Sequence, residues 1–101
     1  MILIFTTFHK LVTARKIGDL LLKERLIACY NLFPVKSAYL WKGKIEKSNE
    51  VLIILKTKDS NFEKIKEIIQ EHSGYEVPEV VAIKSSKVSE TYLNWLISET
   101  K

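Results

Sequence analysis

Hydrophobic and polar positions change rhythm several times along this chain. Residues 2–8 are nearly all apolar and β-prone, the pattern of a strand buried on both faces. From Ala14 the spacing changes: Ala14, Ile17, Leu21 and Arg25 fall on one side, with Gly18, Leu22 and Leu26 beside them. That 3.6-residue period predicts an amphipathic helix over residues 13–26. A glycine inside a helix costs about 1 kcal/mol relative to alanine, so Gly18 marks a place where the helix closely approaches the sheet. A second strand follows over residues 28–41, with Pro34 suited to an edge or a bend. Lys42-Gly43 forms a tight two-residue turn that sets Trp41 opposite Lys44 and Tyr39 opposite Glu46.

The strand after the turn runs to Thr57, with Val51 to Leu55 as its continuous apolar stretch. Ser60 with Glu63 has the spacing of a capping box, opening a helix whose inner face is Phe62, Ile65, Ile69 and His72. Gly74 stands where a glycine ends a helix. Residues 80–83 form a short strand, and Ser89 caps a last helix that buries Tyr92, Leu93 and Leu96, with Trp95 and Ile97 flanking that stripe. The order is an α+β, ferredoxin-like βαββαβ sandwich with an extra C-terminal helix, a single domain over residues 1–101. Helices on one side of such an antiparallel sheet leave the other side to water, and its strands should alternate. Residues 2–5 and 51–55 do not alternate, and the last helix is too small to cover the second face alone. Self-association is therefore expected.

Composition narrows the functional classes. At 101 residues, 47% hydrophobic and 28% charged, the chain has one modest core and is not disordered. No apolar run approaches the ~18 residues of a membrane span, and the first residues lack the basic region and cleavage site of a secretory signal. No membrane partner is expected. The net charge of +4 is spread thinly, because lysines alternate with glutamates. Lys36, Lys42, Lys44 and Lys47 make one basic-leaning stretch, interrupted by Glu46, which reads as a solvated hairpin. The third strand carries no aromatic residue between Val51 and Leu55, unlike RNA-binding sheets of this topology, so no nucleic acid is expected. One cysteine, Cys29, cannot form an internal disulfide, and a cytosolic setting is expected.

No nucleophile elbow, phosphate loop or zinc-protease motif is present, and no catalytic residue is assigned. Glu46 and Glu50 read as surface ion-pair partners. Cys29, His9 and His72 are scattered rather than clustered at ligand spacing. His72 reads as an inward, hydrogen-bonded core residue and Cys29 as a small buried hydrophobe. The aromatic group Tyr39, Trp41, Tyr75 and Trp95 remains, with Lys56. Tyr39 and Trp41 share one strand face and Lys56 shares one with Glu50, so these residues suit either a cleft for a small anionic ligand or the packing of an oligomer interface.

Five ordered motifs then point to a family. LLKERLIACYN at 21–31 resembles L-L-x-x-x-L-x-A-C-x-N, and SAYLWKGKIE at 37–46 resembles S-x-Y-x-W-x-G-x-[IL]-E. Residues 50–57 match E-x-x-x-x-L-K-T, residues 75–78 match Y-x-x-P, and residues 92–95 match Y-L-x-W. Together they resemble the CutA family of divalent-cation tolerance proteins. The resemblance implies a tight homotrimer whose antiparallel sheets continue into neighbouring subunits, and an association with copper and other divalent metals. Some bacterial members look like copper binders through a cysteine ending the first strand and a His-His pair before Pro-Tyr. The matching positions here are Thr6, His72, Ser73 and Gly74, so two of three ligands are absent and His72 alone is kept. The expectation is a cytoplasmic, non-catalytic homotrimer of metal homeostasis, with His72 as metal ligand for a divalent ion such as copper and no organic cofactor. The alternative is a trimeric small-ligand sensor or interaction scaffold, similar in architecture to PII-type signalling proteins. It would use Tyr39, Trp41, Glu50, Lys56 and Tyr75.

Overall fold

The computed structural model describes residues 1–101. Strand β1 (Ile2–Phe8) leads into helix α1 (Leu11–Lys23), then strands β2 (Cys29–Trp41) and β3 (Lys44–Thr57). A short 3-10 turn (Asp59–Asn61) precedes helix α2 (Phe62–His72), strand β4 (Val81–Lys84) and helix α3 (Glu90–Glu99). The four strands form one sheet in the order β2-β3-β1-β4, with every neighbouring pair antiparallel. This is the expected ferredoxin-like plan with its additional C-terminal helix.

The strand residues do not alternate in type, but their burial does. Ile2, Ile4, Thr6 and Phe8 of β1 are buried, while Leu3, Phe5 and Thr7 between them are half-buried. In β3, Val51, Ile53, Leu55 and Thr57 are buried, with Leu52, Ile54 and Lys56 half-buried. The buried set packs against Ala14, Ile17 and Leu21 of α1, Ile65 and Ile69 of α2, and Leu26 and Ile27 in one continuous core. The other face carries Leu3, Phe5, Leu52 and Ile54, with Phe33, Val81 and Ile83 exposed beside them. Helix α3 reaches this open face at one end only, where Tyr92 lies 6.0 Å below the Lys56 ammonium. A large apolar surface therefore stands on the side that the two main helices leave bare.

Local chemistry explains most element boundaries. A Cβ on Gly18 would stand 2.7 Å from the Tyr30 ring, so α1 sits on β2 at a distance only glycine allows, and the Tyr30 hydroxyl donates to Asp19 at 2.8 Å. Helix α1 stops at Lys23, three residues short of the expected end. The Leu26 N–H donates to the Leu21 carbonyl and the Arg25 N–H to Leu22, with Arg25 at φ 57°. That is a Schellman stop with arginine at the usual glycine position, and it turns Leu26 into the core. Lys42 and Gly43 both have positive φ, 51° and 79°, and the register sets Trp41 opposite Lys44 and Tyr39 opposite Glu46 as expected.

Two expected caps are corrected. No side-chain hydrogen bond caps α2 or α3, so neither the Ser60–Glu63 box nor a Ser89 side-chain cap forms. A 3-10 turn opens α2 instead, and the buried Asn61 amide beside it donates to the Leu26 carbonyl and the Thr57 hydroxyl, both at 3.2 Å. In α3 only Leu96 is fully buried, with Tyr92 and Leu93 half-buried.

Candidate functional site

Strand β1 pairs with β3 only from Val51 onward, so β3 residues 44–50 have β2 as their sole neighbour and the hairpin overhangs the sheet. A cleft of about 850 Å³ opens at the foot of this overhang. Thr7 and His9 reach it from the end of β1, Ser37, Tyr39 and Trp41 from β2, Glu46 and Glu50 from β3, and Tyr75, Glu76 and Glu79 from the loop after α2. Glycine makes that loop possible: Gly74 has φ +80°, ending α2 and turning Tyr75 back to the sheet.

Glu50 is the centre of the site. It is 8% exposed, and its carboxylate accepts a hydrogen bond from the Tyr75 hydroxyl. Burial alone would raise the Glu50 carboxyl. The Ser37, Tyr75 and Thr7 hydroxyls and nearby His9 outweigh burial and hold it below the usual carboxylate value. Burial and the Glu50 carboxylate together raise the Tyr75 hydroxyl, so it remains a donor. Burial, then the Glu50 charge, raises Glu79. The His9 and Tyr75 rings pack together at a 41° tilt with centroids 4.2 Å apart. Glu46 and Glu50 take part in none of the chain's four ion pairs, against the surface-pair expectation.

Of the residues singled out from the sequence, the cleft brings together Tyr39, Trp41, Glu50 and Tyr75. Lys56 is not among them. It shares the open face with Glu50, but six residues of extended strand separate them by about 20 Å, and it stands over Tyr92 opposite Leu3 and Cys29. Strand parity fixes a face, not proximity. His72 is exposed rather than inward, because α2 ends there and Ser73 takes the buried place. Its Nδ1 meets the Ile68 carbonyl at 2.9 Å, and the ring borders a shallow groove with Thr13, Lys16, Asp19 and Lys23. Cys29 is half-buried on the open face rather than enclosed in the core. His9 and Glu79 received no site role from the sequence. The run Tyr75-Glu76-Val77-Pro78-Glu79 held a signal only through Tyr75 and Pro78.

The metal expectation was tested on donor chemistry. Thr6 is fully buried with an unpartnered hydroxyl, and the Ser73 hydroxyl accepts the Tyr75 N–H at 3.1 Å. Two neutral hydroxyls and one exposed imidazole do not fit a copper cage. Nowhere do three His, Cys, Asp or Glu side chains converge to hold a metal ion. Glu50 and Glu79 both line the cleft, and the Glu50 charge acts on Glu79; carboxylate oxygens of this kind are the donors a partly hydrated hard cation takes.

Comparison with known proteins agrees with the fold and the motifs. The family model described as CutA1 divalent ion tolerance protein matches residues 2–99. The divalent-cation tolerance protein CutA of Pyrococcus horikoshii is 48% identical over 101 residues, covering 100% of this chain and 99% of its own. The crystal structure of CutA1 from that organism superposes with a TM-score of 0.94 at 48% identity, over 100% of this chain and 99% of the other. The structure of a protein from Archaeoglobus fulgidus, named a periplasmic divalent cation tolerance protein, superposes with a TM-score of 0.97 at 31% identity, each chain fully covered.

Proposed function

Because the chain belongs to the CutA1 family of divalent ion tolerance proteins, we propose that it is a non-catalytic, cytoplasmic homotrimer of metal homeostasis that binds divalent cations weakly. The observation that carries the reading is Glu50, a residue more than nine-tenths buried whose carboxylate is held ionised by hydroxyl donors and nearby His9 and takes part in no ion pair. Buried charges are ordinarily paired, and the adjacent Glu79 makes the cleft a place of negative potential. A hard divalent ion would rest on these two carboxylates. Copper, which prefers imidazole, would use His72, whose Nε2 is left free by the Nδ1 contact to Ile68. The bare apolar face of Leu3, Phe5, Leu52 and Ile54 supports self-association, and the family resemblance supplies the threefold form.

Calorimetry with manganese(II) and copper(II) tests the reading. Both ions bind at micromolar affinity or weaker. Manganese binding is lost in Glu50→Gln, copper binding falls in His72→Ala, and Cys29→Ser leaves both unchanged. Tight stoichiometric copper binding abolished by Cys29→Ser overturns the ligand assignment, and sedimentation equilibrium near a single 11.7 kDa chain overturns the trimer. A second reading, a ligand-sensing cleft, is favoured by one feature that a bare ion does not use: the wall of Tyr39, Trp41 and Tyr75.

A further inference from the structure

We infer that the outer face of α1 is a docking surface for an acidic amphipathic helix of a partner protein. This face does not compete with self-association, because α1 and α2 pack on the side of the sheet opposite the bare apolar face. Ala14, Ile17 and Leu21 turn into the core and leave another side of α1 facing outward. On it Thr13, Lys16, Leu20 and Lys23 follow at steps of three, four and three residues, the stripe along which a second helix packs. All four line a groove of about 610 Å³ that His72 borders from the end of α2.

Shape argues for a helical occupant. The groove runs from Val12 to Lys23, about 16 Å along the axis of α1, which is the length of three turns of a partner helix. The subunit leaves its apolar positions unfinished: Leu20 is half-buried and Val12, one turn before Lys16, is 68% exposed. An open groove of this form takes a helix laid along it rather than an enclosed small molecule.

Charge then selects the partner. Lys16 and Lys23 stand one heptad apart, two helical turns and about 10 Å along the axis. Neither ammonium takes part in any of the chain's four ion pairs. Asp19 is the one acidic residue of α1, within a turn of both lysines, and it accepts the Tyr30 hydroxyl at 2.8 Å. Carboxylates one heptad apart on a partner helix would meet both lysines in register, with an apolar side chain between them set against Leu20. A basic helix would be repelled, and a second copy of α1 brings only lysines of its own to the stripe.

Fluorescence anisotropy of the labelled peptide acetyl-EAALAQAEAALAQAE-amide tests the inference on metal-free protein at constant ionic strength. Its glutamates stand one heptad apart with a leucine between them, and alanine keeps it helix-prone. Saturable binding is expected, weakened about tenfold by Lys16→Glu/Lys23→Glu and less by Lys16→Gln/Lys23→Gln. Lys10→Glu/Arg15→Glu changes the net charge equally but lies outside the groove, and the affinity should stay within about twofold. Circular dichroism and sedimentation should show the wild-type fold and assembly in all three double variants. Equal losses in the two glutamate double variants would reduce the effect to overall charge and overturn the inference. Equal binding of the peptide with lysine at every glutamate position overturns the assigned charge, and absence of saturable binding at millimolar protein overturns the surface itself. A smaller assembly in Lys16→Glu/Lys23→Glu alone would make the stripe a contact between copies of this chain and overturn the assigned partner.

Discussion

The two faces of this one sheet are built from nearly the same residue types and meet opposite fates. Ile53 and Leu55 are fully buried against α1 and α2, while Leu52 and Ile54, their immediate neighbours in sequence, are covered only in part. The covered face is finished by the chain's own helices. The open face is finished only at its α3 end, and its other end runs out to the Glu50 cleft and the overhanging hairpin. Apolar side chains on the two faces therefore do different jobs. On one side they stabilise the subunit, and on the other they are available to another surface.

The largest expected effect separates the two faces directly. Ile53→Ala should cost the subunit about 2–5 kcal/mol, because it removes a fully buried side chain and leaves a cavity. Its effect on denaturant unfolding should persist at every protein concentration. Ile54→Ala should cost little in the isolated subunit and act on assembly, so its penalty shrinks as protein concentration falls and sedimentation shows smaller species. Equal, concentration-independent penalties at both positions would show that the open face is not an interface.

Legibility from sequence follows the same division. The covered face was readable because core packing writes a period: Ala14, Ile17 and Leu21 at helical spacing, the Lys42-Gly43 turn, and Gly18 as a close approach that Tyr30 confirms. Local competition was not readable. Arg25 carries a left-handed stop that composition assigns to glycine, and Asn61 spends its amide inside the core rather than on a cap. The cleft was readable in part. Tyr39, Trp41 and Glu50 lie on one hairpin face, where parity is reliable, and Tyr75 returns on a loop whose bend only Gly74 announced. Lys56 and His72 were misplaced for two physical reasons. Strand parity carries no distance, and helical phase fails in a last turn where a polar side chain can reach solvent.

A second test exploits opposite titrations at the cleft. Glu50 is held below its ordinary value of 4.5, so its contribution to stability is fully present above about pH 4.5 and is lost as pH falls through the lower folded value. Glu79 is held above 4.5, so its ionisation opposes folding above that raised value and is without effect well below 4.5. Glu50→Gln should flatten the acid limb of a stability–pH profile measured at fixed protein concentration. Glu79→Gln should instead stabilise the protein near neutral pH and match wild type in acid. If the Glu79→Gln gain shrinks in a Glu50→Gln background, the two carboxylates are coupled, as a shared cation site requires. Additive effects would separate them.

The smallest effect lies at the hairpin tip, the far end of the open face, where two local terms compete. Lys42 sits at φ 51°, a region that disfavours most L-residues by about 1 kcal/mol and that asparagine tolerates. Lys42→Asn should therefore gain up to about 1 kcal/mol from backbone strain alone. The same change removes the ammonium lying 5.8 Å from the Trp41 ring, a contact worth about 0.5–1 kcal/mol at an exposed site. The two nearly cancel, so Lys42→Asn should be close to neutral in thermal unfolding. In a Trp41→Leu background the ring contact is already gone, and the full strain relief should appear as a rise in Tm of a few degrees. A gain of the same size in both backgrounds would mean that the Trp41 ring draws no stabilisation from the Lys42 ammonium.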